Sequence, residues 1–200
     1  MIVTEIIPLD KRKSKVLLDE DLALVLYRGE LKPYGIIEGG SVSQDTYDEI
    51  ISQVLLKRAR DRAFYILKAS DKTEQQLRKK LEGDGYPACV IDEVLDFLKR
   101  YHYIDDENYG RRYVEIQKNR KSRRQISCDL QQRGLSRELI SQLLEEQPVE
   151  EAQQIRKFLQ KKGWASGVEM EQKQRQKLYG SLLRKGFSYD AIRKVMGEEE

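Results

Sequence analysis

Leu178-Tyr179-Gly180-Ser181-Leu182-Leu183-Arg184-Lys185-Gly186-Phe187-Ser188-Tyr189-Asp190-Ala191-Ile192 is the stretch whose reading decides the fold. Leu178 and Leu182, four apart, share one face of a helix. Gly186 stops that helix, Phe187 follows, Ser188 caps, and Ile192 with Val195-Met196 marks a second apolar helix. The same order occurs twice upstream, as Leu77, Leu81, Gly85, Tyr86, Ile91 and Val94-Leu95, and as Ile126, Leu130, Gly134, Leu135, Ile140 and Leu143-Leu144. Self-similarity with a period of about fifty residues is the signature of a modular array. Such arrays suit extended partners.

The glycines have a physical reason to recur. A helix commonly closes on a left-handed residue, where glycine has no Cβ to penalise, and the residue after it packs back on the closing turn. Counting back from Gly85, Gly134 and Gly186, the packing positions are Leu81, Leu130 and Leu182, with Tyr86, Leu135 and Phe187 as their partners. Pro87 then suits the first position of a new helix, and Ser136 and Ser188 suit N-caps, with Glu138 and Asp190 favoured by the positive helix start. A third helix precedes each pair, at 63–68, 109–116 and 152–159. Its apolar positions recur three and four apart, as in Tyr109, Tyr113 and Ile116 or Ala152, Ile155, Phe158 and Leu159. Each unit thus reads as a three-helix module. Modules this small have thin cores and should lean on their neighbours.

Residues 1–28 differ in kind. They hold aliphatic and β-branched runs at 2–7, 16–18 and 24–27, with a polar connector of turn character at 8–15, which predicts a small antiparallel sheet. Pro33, Gly35, Gly39 and Gly40 then break any long element. From Ser43 a helical pattern begins, with Tyr47, Ile50, Ile51, Val54 and Leu55 on one face, running into or against the first module. The fold class is therefore mainly α, a tandem array of three three-helix repeats preceded by a small antiparallel β segment with a helix. The expected divisions are 1–56 for that segment and 57–103, 104–147 and 148–200 for the modules. An edge strand in the sheet leaves dimerisation open beside the expected monomer.

Composition narrows the function classes. Of 200 residues 36% are charged, and the longest apolar run, 22–27, is far shorter than the ~20 residues a membrane span needs. No signal segment opens the chain, so a cytoplasmic location without membrane partners is expected. Cys89 and Cys128 lack the spacing of a zinc site or a disulfide framework and read as small buried thiols. The lone His102 reads as a helix-end or turn residue. The cluster Asp105-Asp106-Glu107 reads as an N-cap with dipole partners rather than a metal site. No phosphate loop, nucleotide fingerprint or catalytic triad can be assembled, so the expectation is a non-enzyme without catalytic residues, cofactor or metal.

Charge is unevenly spread. Residues 1–56 carry 6 basic against 10 acidic residues, a net of −4, leaving 31 against 24, a net of +7, for the rest. Eight cations crowd the middle module, Arg111, Arg112, Lys118, Arg120, Lys121, Arg123, Arg124 and Arg133, against Glu115 and Asp129. Such a stretch can reach a phosphate backbone, and neutralising about six phosphates gives a log-log salt slope near −5. It can equally be a solvated face or a surface for an acidic protein.

The chain resembles the RecX family of regulatory proteins, modulators of the bacterial recombinase RecA. The residues that carry the resemblance are Ala63-Phe64-Tyr65-Ile66-Leu67 with Gln76-Leu77-Arg78-Lys79-Lys80-Leu81, then Tyr103-Ile104-Asp105-Asp106-Glu107-Asn108-Tyr109, and most specifically Leu183-Arg184-Lys185-Gly186-Phe187-Ser188-Tyr189-Asp190-Ala191-Ile192. It spans about 60–197. Two departures stand out: Lys121-Ser122, where the family often has a glycine, adds charge, and Lys68-Ala69-Ser70-Asp71 removes some. The resemblance implies a right-handed or curved array lying in the groove of the RecA filament on single-stranded DNA, dampening ATP hydrolysis, strand exchange and filament growth. It would thereby regulate homologous recombination, DNA repair and the SOS response. The eight cations are the expected contacts to filament or DNA, binding single or double strands weakly and without sequence preference. An independent helical DNA-binding protein and a purely protein-binding scaffold are the alternatives. Base reading by the second helices is disfavoured, because they start Pro87-Ala88-Cys89, Ser136-Arg137-Glu138 and Ser188-Tyr189-Asp190.

Overall fold

The computed structural model describes residues 1–19, 22–164 and 171–197; within the expected third module, 165–170 and 198–200 lie outside the described residues. The chain forms two compact units, Met1–Asp105 and Asp106–Glu200.

The first unit opens with three antiparallel strands, β1 (Val3–Pro8), β2 (Lys13–Leu18) and β3 (Ala23–Tyr27), in the order β1-β2-β3. Alternation places Val16, Leu18, Leu24 and Leu26 on the buried face, as a sheet with one wet side requires. Register is fixed by Val16 standing opposite both Ile6 and Leu24, with a bulge between Val3 and Glu5. The outer edge of β1 is occupied: Val3 N–H donates to Gly40 O at 2.9 Å, Gly39 N–H to Val3 O at 2.8 Å, and Ile6 N–H to Glu38 Oε1 at 2.9 Å.

After the short helix α1 (Arg28–Leu31), Ser43 caps α2 (Gln44–Glu49), and the chain continues through a π-helical turn, Ile50–Leu55, into α3 (Leu56–Ala69). This is the helix expected from Ser43, and it runs directly into the first module. Residue 56, the expected division, lies inside it, and the sheet shares one core with Ile50, Leu55, Ala59 and Ala63. Helices α4 (Glu74–Gly83) and α5 (Ala88–Arg100) complete the module. Pro87 is the N-cap of α5, one place before the first helical position expected for it, because its ψ of 152° is extended.

The second unit holds α6 (Asp106–Gln117), α7 (Arg123–Gln132) and α8 (Arg137–Glu146), then α9 (Glu151–Lys161), α10 (Gln172–Arg184) and α11 (Tyr189–Met196). Each set of three surrounds its own apolar cluster, built on Ile126, Leu130 and Leu143 in the middle module and on Ile155, Leu182 and Ile192 in the last.

The repeat glycines do what their spacing predicts. Gly85, Gly134 and Gly186 have φ of 87°, 97° and 80°. Their N–H groups donate to Glu82, Gln131 and Leu183 O at 2.9 Å, while Tyr86, Leu135 and Phe187 N–H reach Leu81, Leu130 and Leu182 O at 3.2, 3.1 and 3.3 Å. That double closure is the Schellman motif. A second device recurs without having been expected. Thr73 and Ser122, both fully buried, close capping boxes with Gln76 and Gln125 at the starts of α4 and α7.

Two expectations need correction. Cys89 and Cys128 are exposed, not buried. Each lies two residues, about 200° of helix, from a core position, Ile91 or Ile126, and so points away from it. Ile116 is 62% exposed for the same reason, standing two places after the fully buried Val114; the centre of the buried face of α6 is Gly110 and Val114.

Candidate nucleic-acid interface

The expected cations divide into those that bind the fold together and those that face outward. Arg111 bridges Glu107 at 2.7 Å and Glu146 at 3.2 Å, tying the start of α6 to the end of α8. Arg112 reaches back to Asn108 O at 3.4 Å, and Lys118 pairs with Glu115 at 2.6 Å. Arg133 donates to Tyr109 Oη at 3.1 Å and Asp129 O at 2.9 Å, and its guanidinium lies 4.6 Å from the Tyr113 ring centre. Lys121 donates to Asp129 at 2.6 Å and to Tyr113 Oη at 3.1 Å, and Tyr113 donates to the same carboxylate at 2.7 Å.

Electrostatics in this trio are mutual. The Asp129 hydrogen bond, then that to Tyr113, holds the Lys121 ammonium above its ordinary pKa. Burial pushes Asp129 up, but donation from Lys121 and Tyr113 outweighs it and the carboxyl is held below its ordinary value. Burial, joined by the Asp129 contact, raises the Tyr113 phenol. These cations are therefore engaged with groups of the protein itself, at a partly exposed surface.

Arg123 has a mixed role. Its backbone N–H, the first of α7, is bonded by Glu151 Oε1 at 2.9 Å, and its guanidinium donates to Leu144 O at 3.2 Å. Arg120 and Arg124 are exposed, and among the described residues neither makes an ion pair. Arg124 stands at the lip of an open cavity of about 680 Å³ lined also by Arg123, Arg137, Cys128, Gln131 and Ser188. A second hollow of about 360 Å³, on the other flank of Arg124, is lined by Lys121, Asp129 and Arg184.

The cavity exists because the last module packs on α7 through its glycine turn. Ser122 Oγ caps α7 and donates to Lys185 O at 2.9 Å. A Cβ on Gly186 would stand 2.8 Å from that hydroxyl and 3.5 Å from Arg124 Cβ. The repeat glycine thus sets the floor of a cationic hollow as well as stopping a helix. Arg137 and Arg184 were absent from the expected contacts. Arg184 was hidden in a repeat signature read as structural, and Arg137 beside Glu138 looked neutral. The lining combines three guanidinium groups with amide and hydroxyl groups, the carboxylate of Glu151 and the apolar side chains of Ile140, Leu144 and Phe187.

Among the described residues no group of three or more His, Cys, Asp or Glu side chains is placed to hold a metal ion, and no helix is long and apolar enough to cross a membrane.

Known proteins share this organisation. Residues 59–98, 105–144 and 149–196 match, in order, the first, second and third three-helix domains of RecX. A regulatory protein RecX of Caldanaerobacter subterraneus subsp. tengcongensis is 32% identical, covering 98% of both chains. The chain belongs to the RecX family. Another RecX regulatory protein, from Clostridium botulinum (strain Eklund 17B / Type B), is 30% identical over 94% of this chain and 91% of its own. Among solved structures, a regulatory protein RecX superposes with a TM-score of 0.64 at 22% identity, covering 99% of each chain. RecX from Lactobacillus salivarius superposes with a TM-score of 0.60 at 23% identity over 72% of this chain and 95% of that one. The mainly helical array with an N-terminal sheet is thus a RecX fold, and RecX proteins are regulatory proteins by name.

Proposed function

We propose that this RecX-family chain binds the RecA filament on single-stranded DNA in its groove. There it inhibits RecA ATP hydrolysis, strand exchange and filament growth, so regulating recombination, DNA repair and the SOS response in the cytoplasm. The observation that carries the reading is the succession of all three RecX domains in one chain, the middle one bearing an open hollow lined by Arg123, Arg124 and Arg137. A concavity carrying three arginines suits phosphates, and a groove in a nucleoprotein filament offers phosphates beside protein.

Arg124 and Arg120 are the cleanest candidates for contact, since Arg111, Lys118, Lys121 and Arg133 are already engaged within the protein. The expected act is regulation by occupancy, without covalent chemistry. The test is RecA ATPase on single-stranded DNA, titrated with this protein. Turnover should fall toward a low plateau as the protein approaches the filament concentration; unchanged turnover at saturating protein would overturn the reading.

A further inference from the structure

At the C-terminal end of α5, Tyr101, His102 and Tyr103 place three exposed rings in succession, with Tyr101 59% and Tyr103 54% exposed. Their turn is closed like the glycine turns: His102 N–H donates to Lys99 O at 3.0 Å and Tyr103 N–H to Leu98 O at 2.8 Å. Here, however, the left-handed position is held by His102, the one non-glycine residue with positive φ, at 56°, among the described residues. A side chain at that position costs conformational free energy that glycine would spare. The chain accepts that cost where it presents rings.

The rings rest on an aromatic base. Phe97 lies 4.7 Å from Tyr101 and 6.5 Å from Tyr103, Phe64 lies 4.9 Å edge-on to Tyr103, and the Arg60 guanidinium covers Phe97 at 4.5 Å. Such backing fixes the tyrosines and leaves their outer faces wet. Cations flank them. Lys57, Arg60, Phe64 and Lys68 fall at three- and four-residue intervals along α3, and Arg100 precedes Tyr101. Among the described residues Lys57, Lys68 and Arg100 make no ion pair, while the acids Glu93 and Asp96 on α5 are paired with Arg60 and Lys99. Among the described residues Asp61 on α3 makes no ion pair, and Asp105, Asp106 and Glu107, each engaged with another group, follow Tyr103 in sequence.

The exposed apolar groups of this region are all of one kind. Among the described residues of α3 to α5 and the turn that follows, every exposed large apolar side chain is a tyrosine: Tyr65, Tyr101 and Tyr103. Flat rings bordered by cations without ion pairs match the alternation of base and phosphate in an unpaired strand, and docking of a protein on the same rings is an outcome that the test below separates. We propose that Tyr101 and Tyr103 form a stacking platform for unpaired nucleobases, independent of sequence, with Lys57, Lys68 and Arg100 meeting the adjoining phosphates. This site lies within the first unit, shares no residue with the arginine hollow, and goes beyond the regulatory reading because it requires no recombinase.

The test compares full-length protein binding to a fluorescent oligothymidine and to an abasic strand of equal length and charge, at fixed salt. The wild-type chain should hold oligothymidine about tenfold tighter or more, the value of one to two stacked bases. The variant Tyr101→Ala/Tyr103→Ala should lose that preference and keep its abasic affinity, while Tyr101→Phe/Tyr103→Phe retains the preference; circular dichroism checks that both fold. Equal wild-type affinity for the two strands, binding to neither, or a preference that survives the alanine variant would overturn the proposal. Loss of RecA-filament binding with the base preference unchanged would instead mark the rings as a protein contact, and would likewise overturn it. RecA ATPase measured on the same proteins keeps the two readings separate: inhibition without base preference sinks the platform alone, and base preference without inhibition sinks the regulatory reading alone.

Discussion

Replacing Gly186 by alanine separates the two roles of a repeat glycine. Its φ of 80° places alanine in the left-handed region, which costs about 1–2 kcal/mol. The new Cβ also meets Ser122 Oγ at 2.8 Å, inside the turn that joins the last module to α7. Ser122 cannot yield freely, because it is fully buried, caps α7 and donates to Lys185 O. Overpacking of this kind adds about 1–2 kcal/mol, for a total near 2–4 kcal/mol. Gly163 supplies the control. It closes α9 with the same pair of hydrogen bonds at φ 78°, yet among the described residues a Cβ there meets nothing within 4 Å. Gly163→Ala should therefore cost only the conformational part, about 1–2 kcal/mol. Urea denaturation followed by circular dichroism, and for Gly186→Ala by fluorescence of the single Trp164, measures both. Equal destabilisation by the two variants would refute the claim that the Gly186 turn is packed against Ser122.

Ser122→Ala removes the N-cap of α7 and the bond to Lys185 O together, and should lower urea stability by about 1–2 kcal/mol. Asp129→Asn tests the trio around Lys121 through its pH dependence. Because the folded carboxyl is lowered, its contribution is present above the unfolded value of about 3.9 and is lost as pH falls through the folded one. Because the Lys121 ammonium is raised, its contribution is present below about 10.4 and is lost as pH rises through its folded value. The variant should thus be less stable at neutral pH, by about 1 kcal/mol or less given the partial exposure, and should converge with wild type in strong acid. A neutral-pH stability equal to wild type would contradict this. Both Cys89 and Cys128, being exposed, should react with a thiol reagent in the native protein; a signal that appears only on unfolding would contradict their placement.

Much of the fold was legible because the signals that specify it are local. The Gly85, Gly134 and Gly186 turns, their leucine partners and the alternating strands depend on positive φ and on periodicity, which spacing alone encodes. Where local reading failed, it weighed residue type above phase. Cys89, Cys128 and Ile116 were counted as apolar, although each sits two residues, about 200°, from the centre of its buried face. Gly110 escaped notice for the converse reason: it supplies the buried face of α6 by lacking a side chain, since a Cβ there would come within 2.5 Å of Leu143 Cδ1 and 2.8 Å of Leu135 Cδ2. The capping boxes at Thr73 and Ser122 were encoded in plain view, as a hydroxyl residue followed three places later by glutamine.

Of the candidate site the sequence carried a density of charge but not its pairing. Charge density marked the middle module, yet it could not say that Arg111, Lys121 and Arg133 are engaged by Glu146, Asp129 and Tyr109 while Arg124 makes no ion pair among the described residues. Nor could it bring Arg137 and Arg184 into the same neighbourhood, since that depends on the last module packing against α7. One-dimensional charge counts cations, and pairing in three dimensions decides which remain available.

RecA ATPase on single-stranded DNA, measured with wild-type protein and Arg124→Glu at several salt concentrations, tests the central claim most directly. Arg124 is preferred to Arg123, whose guanidinium also supports Leu144 O. The account predicts inhibition by the wild type that weakens steeply as salt rises, and inhibition by the correctly folded Arg124→Glu reduced at least about tenfold in potency, as expected when a phosphate contact becomes a repulsion. Full, salt-insensitive inhibition by Arg124→Glu would contradict it.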